Sequence, residues 1–343
     1  MMAGETPPFW WRTHSWQAVL LAPAAAIYGA AARWRLDHGE RAEAGVPVIC
    51  IGNFTVGGGG KTPTAIAIGR AAQQLGYRPG YVSRGHGGAA ARPMLVDPAH
   101  HDARTVGDEP LLLAAVAPTA VAVDRKQGAE LLRRQAGCDF VIMDDGFQSA
   151  RLTMDYALLV IDAGRGLGNG HVVPAGPLRA PLTDQIRHAT ALLVISQGSA
   201  GDAAIRRTAR GNRPVFEARL VPQDPEALAG QRVLAFAGIA DPDKFYRTLR
   251  EMGVEIGATR DFPDHHPLSA AEMAELTEQA EREDLLLVTT RKDAARLSPV
   301  TDEARAFQAA VKVLDVELVF EPDTLGERII RETVEGFHRR RFG

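Results

Sequence analysis

Cysteine is almost missing from this chain: its 343 residues include two, Cys50 and Cys138. Cys50 lies inside an apolar run and Cys138 just before one, at a spacing that fits no metal motif. That excludes a cysteine-built metal centre, and two buried, reduced thiols are expected, as suits the cytosol. An excess of charge is missing as well. The formal net charge is −3, so no global basic field gathers nucleic acid, and any anionic partner must be held locally. A long hydrophobic run is also lacking. The uncharged stretch from Ala18 to Ala32 falls short of the roughly 20 residues that cross a bilayer. What remains is 45% apolar and 24% charged, which reads as globular, with length for two domains with real cores.

All four tryptophans, Trp10, Trp11, Trp16 and Trp34, fall before residue 45. Arg12 flanks the uncharged stretch on one side, Arg33 and Arg35 on the other. Pro23 is expected to kink or restart a helix there. With no basic start and no clear cleavage site, a signal peptide is not expected. Trp and Arg around an apolar helix is the composition of an interfacial helix lying among lipid headgroups. The competing reading is a helix packed on the protein's own core with its tryptophans buried.

Val46 to Ile51 is a short apolar run, long enough for a buried strand. Gly57 to Gly60, Lys61-Thr62 and a helical pattern follow. Strand, glycine loop, Gly-Lys-Thr and helix, in that order, make a P-loop. The glycines let backbone N–H groups converge on phosphate oxygens. The helix N-terminus adds positive charge, Lys61 can reach the β- and γ-phosphates, and the Thr62 hydroxyl can ligate Mg²⁺. Thr55 stands where the general pattern has its first glycine, so a glycine-rich turn with a chance Lys-Thr is the plainer alternative.

Strand and helix patterns alternate from Gly45 to about Asn212, which predicts a parallel α/β sheet. Asp108-Glu109 opens an apolar helix. It reads either as N-terminal capping or as a general base over a nucleotide. Phe140 to Met143 is a buried strand closed by Asp144-Asp145, which either form a turn or order Mg²⁺ in the second half of a P-loop site. A long Gly/Pro-rich loop carries Arg165 and Arg179. Arg179 either pairs with a carboxylate or holds a phosphate on the substrate. A second, smaller α/β domain is expected over 213–343, with one strand spanning Val311 to Phe320. Asp241-Pro242 and Ser269 to Glu272 read as helix starts. His265 and His266 lie in a loop between them, with no third ligand spaced for a metal.

Together these motifs resemble the tetraacyldisaccharide 4′-kinase family, the lipid A 4′-kinases of Gram-negative bacteria. The likeness is carried by Gly52-Asn-Phe-Thr-Val-Gly-Gly-Gly-Gly-Lys-Thr-Pro63, Ser83-Arg-Gly-His-Gly-Gly88, Gly107-Asp-Glu-Pro110, Asp144-Asp-Gly-Phe-Gln148, Gly168-Asn-Gly170, Pro174-Ala-Gly-Pro-Leu-Arg179 and Phe262-Pro-Asp-His265. It covers most of the chain, and in that family a threonine stands at the Thr55 position. Ser149 and Ala180 depart from the family's usual His and Glu, which bears on the lipid side. The resemblance implies a P-loop NTPase-like domain over 45–212, the smaller domain, and an N-terminal membrane-associated helix within 1–44. It implies transfer of the ATP γ-phosphate to the 4′-hydroxyl of a tetraacyldisaccharide 1-phosphate. Asp108 is the implied acid/base and His265 its partner. ATP is assigned to Thr55, Val56, Gly57, Gly58, Gly59, Gly60, Lys61 and Thr62, and Mg²⁺ to Thr62, Asp144 and Asp145. The lipid disaccharide is assigned to Gln148, Asn169 and Arg179. The implied place is the cytoplasmic face of the inner membrane, with no nucleic acid and no obligate protein partner.

Two other classes compete. A P-loop GTPase or metallochaperone-like switch would read guanine with Asn/Thr-Lys-x-Asp; Thr290-Arg-Lys-Asp293 comes close, but its lysine is one place late. A non-enzymatic membrane scaffold with a degenerate P-loop is the other.

Overall fold

A computed structural model of the chain describes residues 6–90, 92–149, 151–297 and 302–343. In chain order its strands are β1 (Val48–Asn53), β2 (Pro79–Ser83), β3 (Met94–Leu95), β4 (Thr119–Val121), β5 (Phe140–Asp144), β6 (Tyr156–Asp162), β7 (Ala191–Ile195), β8 (Val215–Pro222), β9 (Arg232–Ala237), β10 (Glu255–Asp261), β11 (Leu286–Thr290), β12 (Lys312–Leu314) and β13 (Val316–Glu321). A nine-stranded sheet has the order β13-β8-β7-β6-β1-β5-β2-β4-β3, and a four-stranded sheet has the order β10-β9-β11-β12. The large sheet is parallel except at its edges, where β13 runs against β8 and β3 against β4. The small sheet is parallel throughout.

Every residue of β1 and β5 is buried, as a strand covered on both faces requires. Alternation then divides these strands between two cores. Val48, Cys50, Val141, Met143, Leu159 and Ile161 pack on one face of the sheet. Ile49, Ile51, Phe140, Ile142, Leu158 and Val160 pack on the other. Both thiols are buried and free, and burial pushes Cys50 up to about 12.

Three sequence expectations change. First, the apolar stretch 311–320 is two strands, not one. β12 completes the small sheet, β13 joins the large one, and Asp315 lies between. Second, β8, β13 and the helix Leu325–Phe342 go with the large sheet, and that helix packs on the P-loop helix Lys61–Gln74. The small sheet is therefore an excursion between 232 and 314, narrower than the 213–343 read from sequence. Third, the N-terminal helix Trp16–His38 does not restart at Pro23, which lies inside it. Its inward positions are Ala18, Ala25, Gly29, Ala32 and Leu36, and Arg33 pairs with Asp184 at 2.8 Å. The large apolar side chains face outward: Trp16 is 71% exposed, Val19 76%, Leu20 70%, Ile27 74% and Trp34 65%. Neither expectation for the tryptophans covers all four, since Trp10 is buried. No helix among the described residues is long and apolar enough to cross a membrane.

Candidate active site

In an open α/β sheet, ligands gather at the C-terminal strand ends where the order reverses. β1 is that point, with β5 on one side and β6 on the other. The glycine loop leaves β1 there, Asp144 and Asp145 close β5, and Asp162 closes β6. Gly60 begins the helix Lys61–Gln74 at φ +83°, and a Cβ at that position would sit 2.6 Å from Ile195 Cδ1. No side chain caps this helix, so its first N–H groups are left for an anion. Lys61 and Thr62 are buried, with Lys61 Nζ 3.7 Å from Asp145 Oδ2. Thr55 and Val56 are tied to the far loop: Val56 N–H donates to Pro177 O at 2.8 Å, and Arg179 Nε donates to Thr55 O at 2.9 Å.

The two aspartates that close β5 differ sharply. Asp145, at φ +53°, receives a bidentate pair from Arg179, at 2.6 and 2.9 Å. Burial works to raise its carboxyl, but Lys61 and Arg179 outweigh it and hold the group well below the usual range. Asp144 is fully buried and neither carboxylate oxygen has a hydrogen-bond partner. Burial and the Glu109 charge push it up to about 7. An orphaned buried carboxylate within the field of Lys61, at the end of the strand next to the phosphate loop, is the kind of donor that Mg²⁺ takes. The chemistry of these residues fits the ion: Asp144 and Thr62 would hold it and it would neutralise phosphate charge there, while Asp145, expected beside them, is engaged by Arg179.

Across the cleft, the small sheet brings its own strand ends. His265, in the loop after β10, puts Nδ1 3.0 Å from Asp108 Oδ2. Arg296 Nε donates to the same oxygen at 2.6 Å, and its Nη1 donates to Gly238 O at 2.6 Å and Asp293 Oδ1 at 2.8 Å. Asp108 Oδ1 accepts from Glu109 N–H at 2.8 Å. Burial would raise the Asp108 carboxyl; the His265 hydrogen bond and the Lys292 and Arg296 charges win and hold it well below the ordinary range. Lys292 Nζ reaches Glu109 at 3.2 Å. His86 packs edge-on to the His265 ring, with centroids 5.8 Å apart. Asp108 is thus not a helix cap: Gly107 holds the cap position.

The three residues expected on the substrate side are each hydrogen-bonded within the protein. Gln148 Nε2 donates to Asn53 O and to Gln185 Oε1. Asn169 donates to Ala175 O and accepts from His171 N–H, which shapes the loop. Arg179 holds Asp145. The sequence reading missed Arg296, which follows a stretch read only as an imperfect guanine motif. It also missed Lys244, whose Nζ bonds Asp162 and Ser196 on the other sheet. Asp293, the residue that would read guanine, is committed to Arg296, Gly238 N–H and the Thr290 hydroxyl. Between the sheets lies a cavity of about 310 Å³, walled by the phosphate loop, Glu109, Arg165, Lys244, Phe245, Lys292 and β13.

The family model for tetraacyldisaccharide-1-P 4′-kinase matches residues 17–334. A tetraacyldisaccharide 4′-kinase of Mesorhizobium japonicum is 50% identical over 342 residues, 99% of each chain. Another, of Brucella anthropi, is 52% identical over 339 residues, again 99% of each. A crystal structure of LpxK from Aquifex aeolicus in complex with ATP superimposes with a TM-score of 0.70. It covers 92% of this chain and 99% of that one at 24% identity, a likeness of fold. With similarity at this level running nearly end to end, the chain belongs to the tetraacyldisaccharide-1-P 4′-kinase family.

Proposed function

We propose that the protein is an ATP-dependent kinase that phosphorylates the 4′-hydroxyl of a tetraacyldisaccharide 1-phosphate, in lipid A synthesis. The observation that carries this reading is the Asp108–His265 pair, 3.0 Å apart, whose chain neighbours Glu109 and Asp264 line the same cavity as the phosphate loop. Phosphoryl transfer asks mainly for positioning and charge neutralisation. Lys61 and the uncapped helix N–H groups supply part of that charge, and Mg²⁺ supplies the rest when bound. The hydroxyl proton passes to the Asp108–His265 pair as a unit. Asp108 is its buried carboxylate and His265 its more open member. Gln148, Asn169 and Arg179 serve the lipid side indirectly, by fixing the loops that border it.

The outward apolar face of Trp16–His38 supports docking on a membrane surface, the inner leaflet on the cytoplasmic side. Small residues inward and large ones outward is the reverse of a water-facing helix. The deciding assay supplies γ-labelled ATP, Mg²⁺ and a detergent-dispersed tetraacyldisaccharide 1-phosphate. Label on the 4′-oxygen is expected. No transfer, with GTP bound in preference to ATP, would favour the switch reading.

A further inference from the structure

The segment ahead of the N-terminal helix folds back onto the loop after β6. Trp10, in the turn Pro8–Trp11, is buried; its indole N–H donates to Pro174 O at 3.0 Å, and its carbonyl accepts from Asn169 N–H at 2.7 Å. That anchors Trp11 beside Arg165, whose guanidinium carbon stands 4.2 Å from the indole centroid. Thr6 closes the corner. Its hydroxyl accepts from Trp11 Nε1 at 3.4 Å, and its methyl lies 3.8 Å from where a Cβ on Gly57 would be. The Arg165 Nη atoms lie 3.9 and 4.0 Å from that same point. An aromatic face therefore holds a cation over the first glycine of the phosphate loop.

Arg165 lines the cavity between the sheets, yet among the described residues no carboxylate lies within ion-pair distance of it. The acids whose charge it feels are Asp241, Asp264 and Asp162. Asp162 is taken by Lys244 and Gly164 N–H, Asp241 caps its own helix, and Asp264, which lines the same cavity, lies beyond ion-pair distance of Arg165 with its Oδ2 3.8 Å from His265 Nε2. A half-buried guanidinium with free donors, locked in orientation beside a phosphate cradle, is matched to an anion.

We propose that Arg165 is a phosphate-contacting residue of this cleft, held in place by Trp11, so that the N-terminal segment forms one wall of the nucleotide site. The proposal rests on the kinase reading above. Charge on a transferring phosphoryl group spreads over its outer oxygens, and a planar guanidinium supplies paired donors to them. The segment that seats Trp11 leads directly into the outward-facing apolar helix, so the seating of that helix reaches the phosphate loop through one stacked pair.

The test compares the full chain with Arg165→Ala, Arg165→Lys, Trp11→Ala and Trp11→Phe. Calorimetry measures affinity for ATP and for AMP, each with Mg²⁺, and the transfer assay gives kcat. Arg165→Ala is expected to weaken ATP about 10- to 100-fold, as for loss of a charged hydrogen bond, with AMP within about twofold. Arg165→Lys should fall between. Trp11→Phe should keep most of the wild-type affinity, and Trp11→Ala should move toward Arg165→Ala. Circular dichroism melts check that each variant is folded. Wild-type ATP affinity and kcat in Arg165→Ala overturn the proposal. So does an equal loss for ATP and AMP, which makes Arg165 a shaper of the cleft. A Trp11→Ala variant equal to wild type overturns the part given to Trp11. A wild-type protein that binds no ATP would instead sink the kinase reading.

Discussion

Arg296 Nε sits 2.6 Å from Asp108 Oδ2, the oxygen that His265 also reaches. Asp108 opens the helix Asp108–Ala114 that packs by the large sheet, Arg296 follows β11 of the small one, and both are almost fully buried. A buried pair that loses one member leaves the other charge unsolvated, typically at about 3–5 kcal/mol. Arg296→Gln should therefore lower stability by about that amount in urea titration, and lower kcat as Asp108 loses its orientation. An unchanged urea midpoint would show that the pair is not what joins the sheets there.

Asp108→Ala removes the carboxylate of the proton-accepting pair. A missing general base typically costs about 10²–10⁴-fold in rate. The expected result is a kcat lower by that factor with ATP affinity nearly unchanged. In the wild type, the Asp108 carboxyl is held below its ordinary 3.8, so it stays ionised across the neutral range. The acid limb of the rate profile should come from another group. An unchanged kcat in the variant removes Asp108 from the mechanism.

Asp144 predicts a pH effect of the opposite sign. Its carboxyl is raised from 3.8 to about 7 by burial and by Glu109. The unfolded chain releases that proton at lower pH than the folded one. Metal-free stability should therefore fall as pH rises from about 4 to about 7 and level off above. Asp144→Asn should remove that slope, raise the metal-free melting temperature at pH 8, and abolish the rise that Mg²⁺ with ATP gives the wild type. A steeper slope in the variant would count against an ionising Asp144.

Lys244 bonds Asp162 and Ser196 from across the cleft. Lys244→Met should free the small sheet to move. Because the pair is partly exposed, the effect is modest: about a two- to tenfold rise in KM for ATP. Small-angle scattering should show a larger radius of gyration without nucleotide. Identical scattering and KM would mean that other contacts hold the sheets together.

The outward face of the N-terminal helix can be tested without touching its inward contacts. Trp16, Leu20, Ile27 and Trp34 changed together to serine should abolish sedimentation with vesicles of anionic phospholipid, while the folded signal stays. Deleting the helix is a poorer test, since Ala32 and Leu36 are part of the core. Undiminished sedimentation would reject docking by this face.

The glycine loop, the strands around it and the capping box at Ser269 were legible because each is local. Periodicity and a few turn residues decide them within a dozen positions, and the capping box is present as read. The division of 311–320 was not legible. Both halves are apolar and alternate, and only the tertiary course sends β12 and β13 to different sheets. Arg296 was hidden for a related reason: its partner stands 188 positions away, and no spacing rule joins them. Arg179 was read with two possible partners, and the fold chose Asp145 because Asp145 projects from the end of β5 toward the same loop.

The chain leaves the large sheet after β8 and re-enters it at β13, two strands that are neighbours. The two crossings touch: Gln223 N–H donates to Asp315 O at 3.0 Å, and Gln223 Nε2 donates to Glu317 at 3.1 Å. A lobe hung from paired, stitched leads resists twisting about a single cord and swings like a door on one edge. Any turn of the lobe that carries His265 would therefore follow an arc about that edge.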